Sequence, residues 1–229
     1  MQTDIDFKDT FFKDRDDASR KLIDILPKEQ ILEENWLLLT LASGAVPIAE
    51  MMASEFDLDY DLLFMASIYT PNNDECQIAK VSELKEIVME DNLVKSFDIS
   101  LDYIYAQADK LYQEKLLNDQ YQYRNALPLT SIKNRNILLI DEGCETGIRA
   151  ICAIKSVLAH GGKKVSLATP VIADDLFHHL DMMLDDIYAN HVISDFIEVD
   201  YYYESLDNIM KKEVKSILKN SKNYINGEK

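Results

Sequence analysis

One stretch of the chain combines residue types that bind phosphate and sugar. Asn136-Ile137-Leu138-Leu139-Ile140 is an apolar run that reads as a buried strand, and Asp141-Glu142-Gly143-Cys144-Glu145-Thr146-Gly147 follows it at once. A largely apolar helix over about 148–159 comes next and ends at Gly161-Gly162. Backbone N–H groups at such a helix start form an anion site that needs no basic residue. Thr146 adds a hydroxyl donor, and Gly143 and Gly147 let the backbone approach a ligand closely. Asp141 and Glu142 are acceptors suited to paired sugar hydroxyls. Phosphate on one side and vicinal hydroxyls on the other describe a ribose 5-phosphate. The same residues would also serve simply to turn a strand into a helix, with Glu145 and Thr146 as caps. The chain has neither a Walker loop nor a GxGxxG motif to compete with this reading.

Other residues invite chemistry less strongly. Cys144 stands beside a helix start that would lower a thiol pKa, but no histidine lies near it in sequence. Asp175 and His179 share a helix face and could bind metal, although a polar surface helix explains them as well. Tyr201-Tyr202-Tyr203, Tyr121 and Tyr123 could stack on a base or simply pack. The acidic run at 181–186 reads as a solvated edge.

The elements that must position these residues alternate between strand and helix. Residues 14–26 form a helix stopped by Pro27. Trp36-Leu37-Leu38-Leu39-Thr40-Leu41 reads as a strand covered on both faces. After the turn Ser43-Gly44-Ala45, residues 46–56 form a helix with Pro47 in its first turn. A second strand is expected over 61–68, residues 76–100 read ambiguously, and 101–116 carry one apolar helical stripe. Residues 164–169 form a strand stopped by Pro170, a helix covers about 173–183, and Asp186-Ile187-Tyr188 begins a further strand. A charged helix closes the chain over about 205–219. This order implies an α/β fold, a parallel-sheet core with helices on both faces. Ligands on such sheets bind outside the carboxyl ends of the strands, where the turns at 42–45 and 141–147 both lie.

Bulk composition bounds the function. The chain has 229 residues, enough for one sizeable domain. Acids outnumber bases 41 to 24, for a net charge of −17, which argues against nucleic acid or an anionic membrane as partner. Cys76, Cys144 and Cys152 fit no zinc spacing and read as free thiols in a reducing compartment. The acidic N-terminal stretch does not resemble a targeting peptide, and no apolar run reaches membrane-spanning length, so a cytoplasmic protein is expected.

Apolar strand, two acids, a turn and Thr-Gly resemble the phosphoribosyl-pyrophosphate loop of type I phosphoribosyltransferases. Several segments are similar to a bacterial group within that family: Phe12-Lys13-Asp14-Arg15-Asp16-Asp17-Ala18, the stretch from Leu39 to Pro47, Pro71-Asn72-Asn73-Asp74-Glu75, Tyr123-Arg124 and Ala168-Thr169-Pro170-Val171. The resemblance implies one phosphoribosyltransferase-like domain over 1–229, with a small variable hood within 1–30 and 70–125. It implies a transferase of nucleotide metabolism that moves a phosphoribosyl group to or from a nucleobase-like acceptor. A homodimer is compatible with the tyrosine-rich and apolar segments. By the same resemblance Asp141 and Glu142 hold the ribose hydroxyls and residues 143–147 cradle the 5-phosphate. Ser43, Gly44 and Ala45 stand in the pyrophosphate loop, Glu145 takes the position of a purine-binding general base, and Mg²⁺ is held mainly through the substrate. The pattern also departs from the family. Ser43-Gly44-Ala45 replaces Arg-Gly-Gly, Ala66-Ser67 replaces a basic pair, and Arg149 replaces a threonine. Each lost charge-assisted hydrogen bond removes roughly 1.5–3 kcal/mol. Arg149 could restore one phosphate contact, and Arg124, Lys133 and Arg135 could help if the fold brings them near. A non-catalytic ribose-phosphate-binding regulator on the same fold is therefore the alternative.

Overall fold

The apolar runs become parallel strands because neither face has to meet water. In the computed structural model, which describes residues 10–34 and 36–225, β1 (Trp36–Thr40) and β6 (Asn136–Ile140) are buried at every position. With β2 (Tyr60–Leu62), β7 (Lys164–Ala173) and β8 (Asp186–Ile193) they form a five-stranded sheet in the order β2-β1-β6-β7-β8, every pair parallel. Side chains alternate between two cores, as the strand period requires. Trp36, Leu38, Leu138 and Ile140 pack beneath α1 (Arg15–Ile25), α3 (Val46–Phe56) and α9 (Lys211–Asn220). Leu37, Leu39, Ile137, Leu139, Val165 and Leu167 pack beneath α7 (Ile148–Ala159) and α8 (Asp174–Asp181). Between α1 and β1 lies the short α2 (Lys28–Glu33). Of the stretch 1–30 expected to belong to the variable lobe, residues 1–9 fall outside the described residues, and α1 packs on the core sheet through Leu22 and Ile23.

The run over 61–68 is not one strand. The chain leaves the core sheet after Leu62, turns a corner at the buried Leu63 and Phe64, and enters β3 (Met65–Thr70) of a separate sheet. No Gly or Pro marks that corner; instead Glu83 Oε1 accepts from the Phe64 amide at 2.9 Å. The second sheet is antiparallel, in the order β3-β4-β5, with β4 (Asn73–Ser82) and β5 (Ile87–Met89) taking up much of the ambiguous stretch. After α4 (Asp91–Ser96), α5 (Leu101–Leu111) continues through a π-turn at Tyr112–Leu116 into α6 (Leu117–Arg124), so the helix expected to stop near 116 runs further. Ile104, Ala108 and Leu116 of that helix meet Ile68, Ala79 and Val81 on one face of the small sheet. Val88 meets Ile148 and Cys152 of α7. The small sheet thus sits like a hood over the start of α7.

Pro170 does not end β7. The strand pairs with β8 through Thr169↔Ala189 and Val171↔His191, while its partner β6 has already ended opposite Ala168. Nothing at that position needs the N–H that proline lacks. The closing helix begins at Lys211 rather than near 205, where the Glu213 carboxylate caps the Met210 amide at 2.7 Å.

Candidate functional site

Thr40, Ile140 and Ala168 lie side by side at the carboxyl edge of the core sheet, so the turns after β1 and β6 emerge together. The turn after β6 is held open by glycine geometry. Gly147 caps α7 at φ +74, and a Cβ there would come within 2.3 Å of Leu176 Cδ1. The turn is also stitched to β7: the Cys144 amide donates to Val171 O at 2.9 Å, and Cys144 O accepts from the Ala173 amide at 3.1 Å. Among the described residues none accepts from the amides of Glu145, Thr146, Gly147, Ile148 or Arg149, and α7 has no side-chain cap. The expectation that Glu145 or Thr146 caps this helix therefore fails; both side chains are exposed. Residues 145–149 line a cleft of about 190 Å³ together with Asp141, Glu142, Gly143, Cys144 and, from the hood, Gln77 and Lys80.

The two acids are already engaged. Both oxygens of Asp141 accept from Arg149 Nη1, at 3.0 and 3.1 Å, and Oδ1 also accepts from the Glu142 amide at 2.9 Å. Burial pushes the Asp141 carboxyl above its ordinary range, and Arg149 pulls it part of the way back. Glu142 Oε2 accepts from Arg15 Nε and Nη2 at 3.1 and 2.9 Å. Arg15 Nε also reaches Gly44 O at 3.1 Å, so α1, the 43–45 turn and the 141–147 turn meet at one guanidinium. Tyr203 donates to Glu142 O at 2.8 Å, which makes it a packing residue and not a free stacking surface. Arg149 remains 41% exposed at its side chain, with only Nη1 tied to Asp141, so the rest of its guanidinium is presented to the cleft.

The remaining expected residues divide. Gly44 packs against the Glu142 carboxylate, leaving no room for a Cβ, and Ala45 is wholly buried, so neither offers a side-chain contact. Ser43 lines a neighbouring cleft with Thr40, Phe64, Lys115 and Lys211. The Cys144 thiol is buried and its pKa is raised by that burial, which overturns a reactive-thiol role beside a helix start. Arg124 is buried between Asp61 and Glu83 over the Phe64 ring, and Arg135 bonds Trp36 O at the amino end of β1. Neither reaches the cleft. His178 pairs with Asp174 at 3.6 Å on an exposed helix face, and among the described residues no group of three or more His, Cys, Asp or Glu side chains could hold a metal.

Two residues of the site escape a reading of the sequence. Arg15 sits in an acidic stretch that gives no hint of its distant partner, although that stretch belongs to the similar opening segment. Lys80 is the lone cation of β4 and stands in its buried half. It stands opposite Ser67 in the β3–β4 register and donates to Ser67 Oγ at 2.8 Å. A cation therefore stands directly across the strand pair from Ser67.

No family model matches the chain. It is similar to two Mycobacterium tuberculosis proteins, MT0597 and Rv0571c, each named provisionally as a phosphoribosyl transferase; identity is 26% over 213 residues, or 90% of this chain and 46% of theirs. The chain thus spans about half the length of those relatives. The crystal structure of TT1426 from Thermus thermophilus superposes with a TM-score of 0.71 at 24% identity, covering 90% of this chain and 96% of that one. The likeness to phosphoribosyltransferases read from separate motifs extends along nearly the whole chain in sequence, and the α/β architecture is shared in three dimensions.

Proposed function

We propose that this chain binds the ribose 5-phosphate part of phosphoribosyl pyrophosphate, or of a nucleotide, at the 141–147 turn. We further propose that it transfers the phosphoribosyl group to or from a nucleobase-like acceptor. The observation that carries this reading is the row of unbonded amides from Glu145 to Arg149 at the start of α7, beside the exposed Thr146 hydroxyl and the Arg149 guanidinium. A helix start of this kind favours a phosphate through its dipole and its orphan donors. Asp141 and Glu142 retain lone pairs beyond those given to Arg149 and Arg15, and these would accept from ribose hydroxyls. Glu145, exposed at the cleft mouth, would face the acceptor as a general base. Transfer passes through an oxocarbenium-like centre, so the chain would act mainly by positioning both reactants.

Mg²⁺ fits this site only in part. Hard cations need several oxygens, and the Asp141 and Glu142 carboxylates are each bonded to a guanidinium. Among the described residues there is no cage, so a ligand's phosphates would have to complete the coordination and supply the charge neutralisation. No helix of the described residues is long and apolar enough to cross a membrane. The free thiols Cys76, Cys144 and Cys152 agree with a cytoplasmic setting. We also propose a homodimer, which sedimentation of the purified chain tests.

A second reading has its own support. Arg15, which bonds Gly44 O in the 43–45 turn, is neutralised by Glu142, so that guanidinium is not free to hold a leaving pyrophosphate. The alternative is a non-catalytic ribose-phosphate sensor. Calorimetry with phosphoribosyl pyrophosphate and nucleoside monophosphates, with and without Mg²⁺, tests binding; absence of heat with all of them refutes both readings. Pyrophosphate release with a panel of bases then separates them, since any turnover excludes the sensor.

A further inference from the structure

A strand alternates its side chains between two faces, which would place Gln77 and Lys80 on opposite sides of β4. The pairing with β3 prevents this. Ile68 faces Ala79 but Tyr69 faces Gln77, so Ile78 is an extra residue on β4. Ile78 and Ala79 both turn into the hood core, where each is fully buried, and Gln77 and Lys80 both emerge into the cleft. A bulge that re-aims side chains beside a site is a feature of the fold and not a defect.

Lys80 is buried, only 7% exposed, yet among the described residues its ammonium has a single hydrogen-bond partner, Ser67. An ammonium carries three donors. No ion pair among the described residues includes it, although the chain carries a net charge of −17 and three carboxylates line the cleft. Asp141 and Glu142 are bonded to Arg149 and Arg15 instead, and the exposed Glu145 forms no ion pair with Lys80. A buried cation without a counter-charge is costly, and it persists where an incoming group supplies the missing charge.

We propose that Lys80 is an anion-binding residue whose ammonium takes an oxygen of the phosphoryl group held from the other side by the amides of 145–149. The ligand class is a phosphomonoester dianion, gripped between the hood sheet and the core sheet. This inference rests on the reading that the cleft receives a ribose phosphate. The surroundings agree with it. Burial first, then the neighbouring Arg149, draws the Lys80 pKa down to about 8; Lys115 adds to this effect, Asp141 opposes it, and Cys152 on α7 is a thiol pushed up to about 12 and so neutral. A bound dianion would return the proton, so affinity should fall as pH rises above about 8.

The test is calorimetric binding of ribose 5-phosphate, between about pH 7 and 9.5 to bracket the ammonium's titration, to the wild type, Lys80→Met, Lys80→Arg and the double variant Ser67→Lys/Lys80→Ala. Loss of one charge-assisted contact predicts roughly tenfold to hundredfold weaker binding for Lys80→Met. The decline above about pH 8 should vanish with it. Lys80→Arg should retain most of the affinity. The double variant should recover it, because position 67 faces position 80 across the strands and already touches the ammonium. Wild-type affinity in Lys80→Met, alongside weakened binding in Thr146→Val, would overturn the role of Lys80 and leave the phosphate site standing. A folded double variant that binds no better than Lys80→Met would also overturn it. Absence of binding by the wild type would sink both.

Discussion

Replacing Lys80 by methionine should stabilise the fold while it weakens the ligand. Methionine keeps an unbranched apolar stem and removes the charge. The ammonium is pulled from 10.5 to about 8, chiefly by burial. At about 1.4 kcal/mol per pKa step, that depression sets roughly 3 kcal/mol against the folded state while the group is charged. The variant also gives up the hydrogen bond to Ser67, worth about 1 kcal/mol. The net gain is about 2 kcal/mol at neutral pH, or roughly 4–8 °C in Tm for a chain of this size. The sign with pH follows from where the proton binds more tightly. The unfolded chain holds it up to about pH 10.5 and the folded one only to about 8, so wild-type stability attributable to this group rises between those values. The advantage of the variant should therefore be full below about pH 8 and fade toward 10.5. Thermal unfolding of both proteins across that range, followed by circular dichroism, provides the measurement. A variant that melts at or below the wild type at neutral pH, with an unchanged pH profile, would refute the reasoning. Stability gained together with affinity lost is the mark of a residue kept for function.

Three further outcomes are expected. Arg124→Met leaves Asp61 and Glu83 buried without their shared cation, and should cost about 3–5 kcal/mol by denaturant unfolding. Gly44→Ala puts a Cβ 1.9 Å from Glu142 Oε2, so the Arg15–Glu142 pair must open; a loss of about 1–3 kcal/mol in thermal melts is expected, and an unchanged Tm would show that the two turns are not coupled there. With a thiol reagent at neutral pH, Cys76 should react in the native protein, while Cys144 and Cys152, both buried with raised pKa values, should react only on unfolding.

Where the sequence is legible, the signal is local. The strand–turn–helix over 136–159 shows because a doubly covered parallel strand must be apolar at every position and a helix start after it must turn on a small residue. The break inside 61–68 leaves no mark, because the corner at Leu63-Phe64 is made by a hydrogen bond to Glu83 and not by a turn residue. The tail helix starts later than its charge pattern suggests, because charge alone does not locate a cap.

The chain's own order of residues determines the parallel core, the side of the sheet on which a ligand would sit, and the amide-lined turn at 141–147, since each depends on neighbours within a few positions. Only the folded molecule decides which charges are free. Arg15 meets Glu142 across 127 positions, Arg149 is taken by Asp141, and a single extra residue at Ile78 brings Gln77 to the same face as Lys80. Electrostatics at a site depends on distances through space, and a pairing register that shifts by one residue exchanges the two faces of a strand.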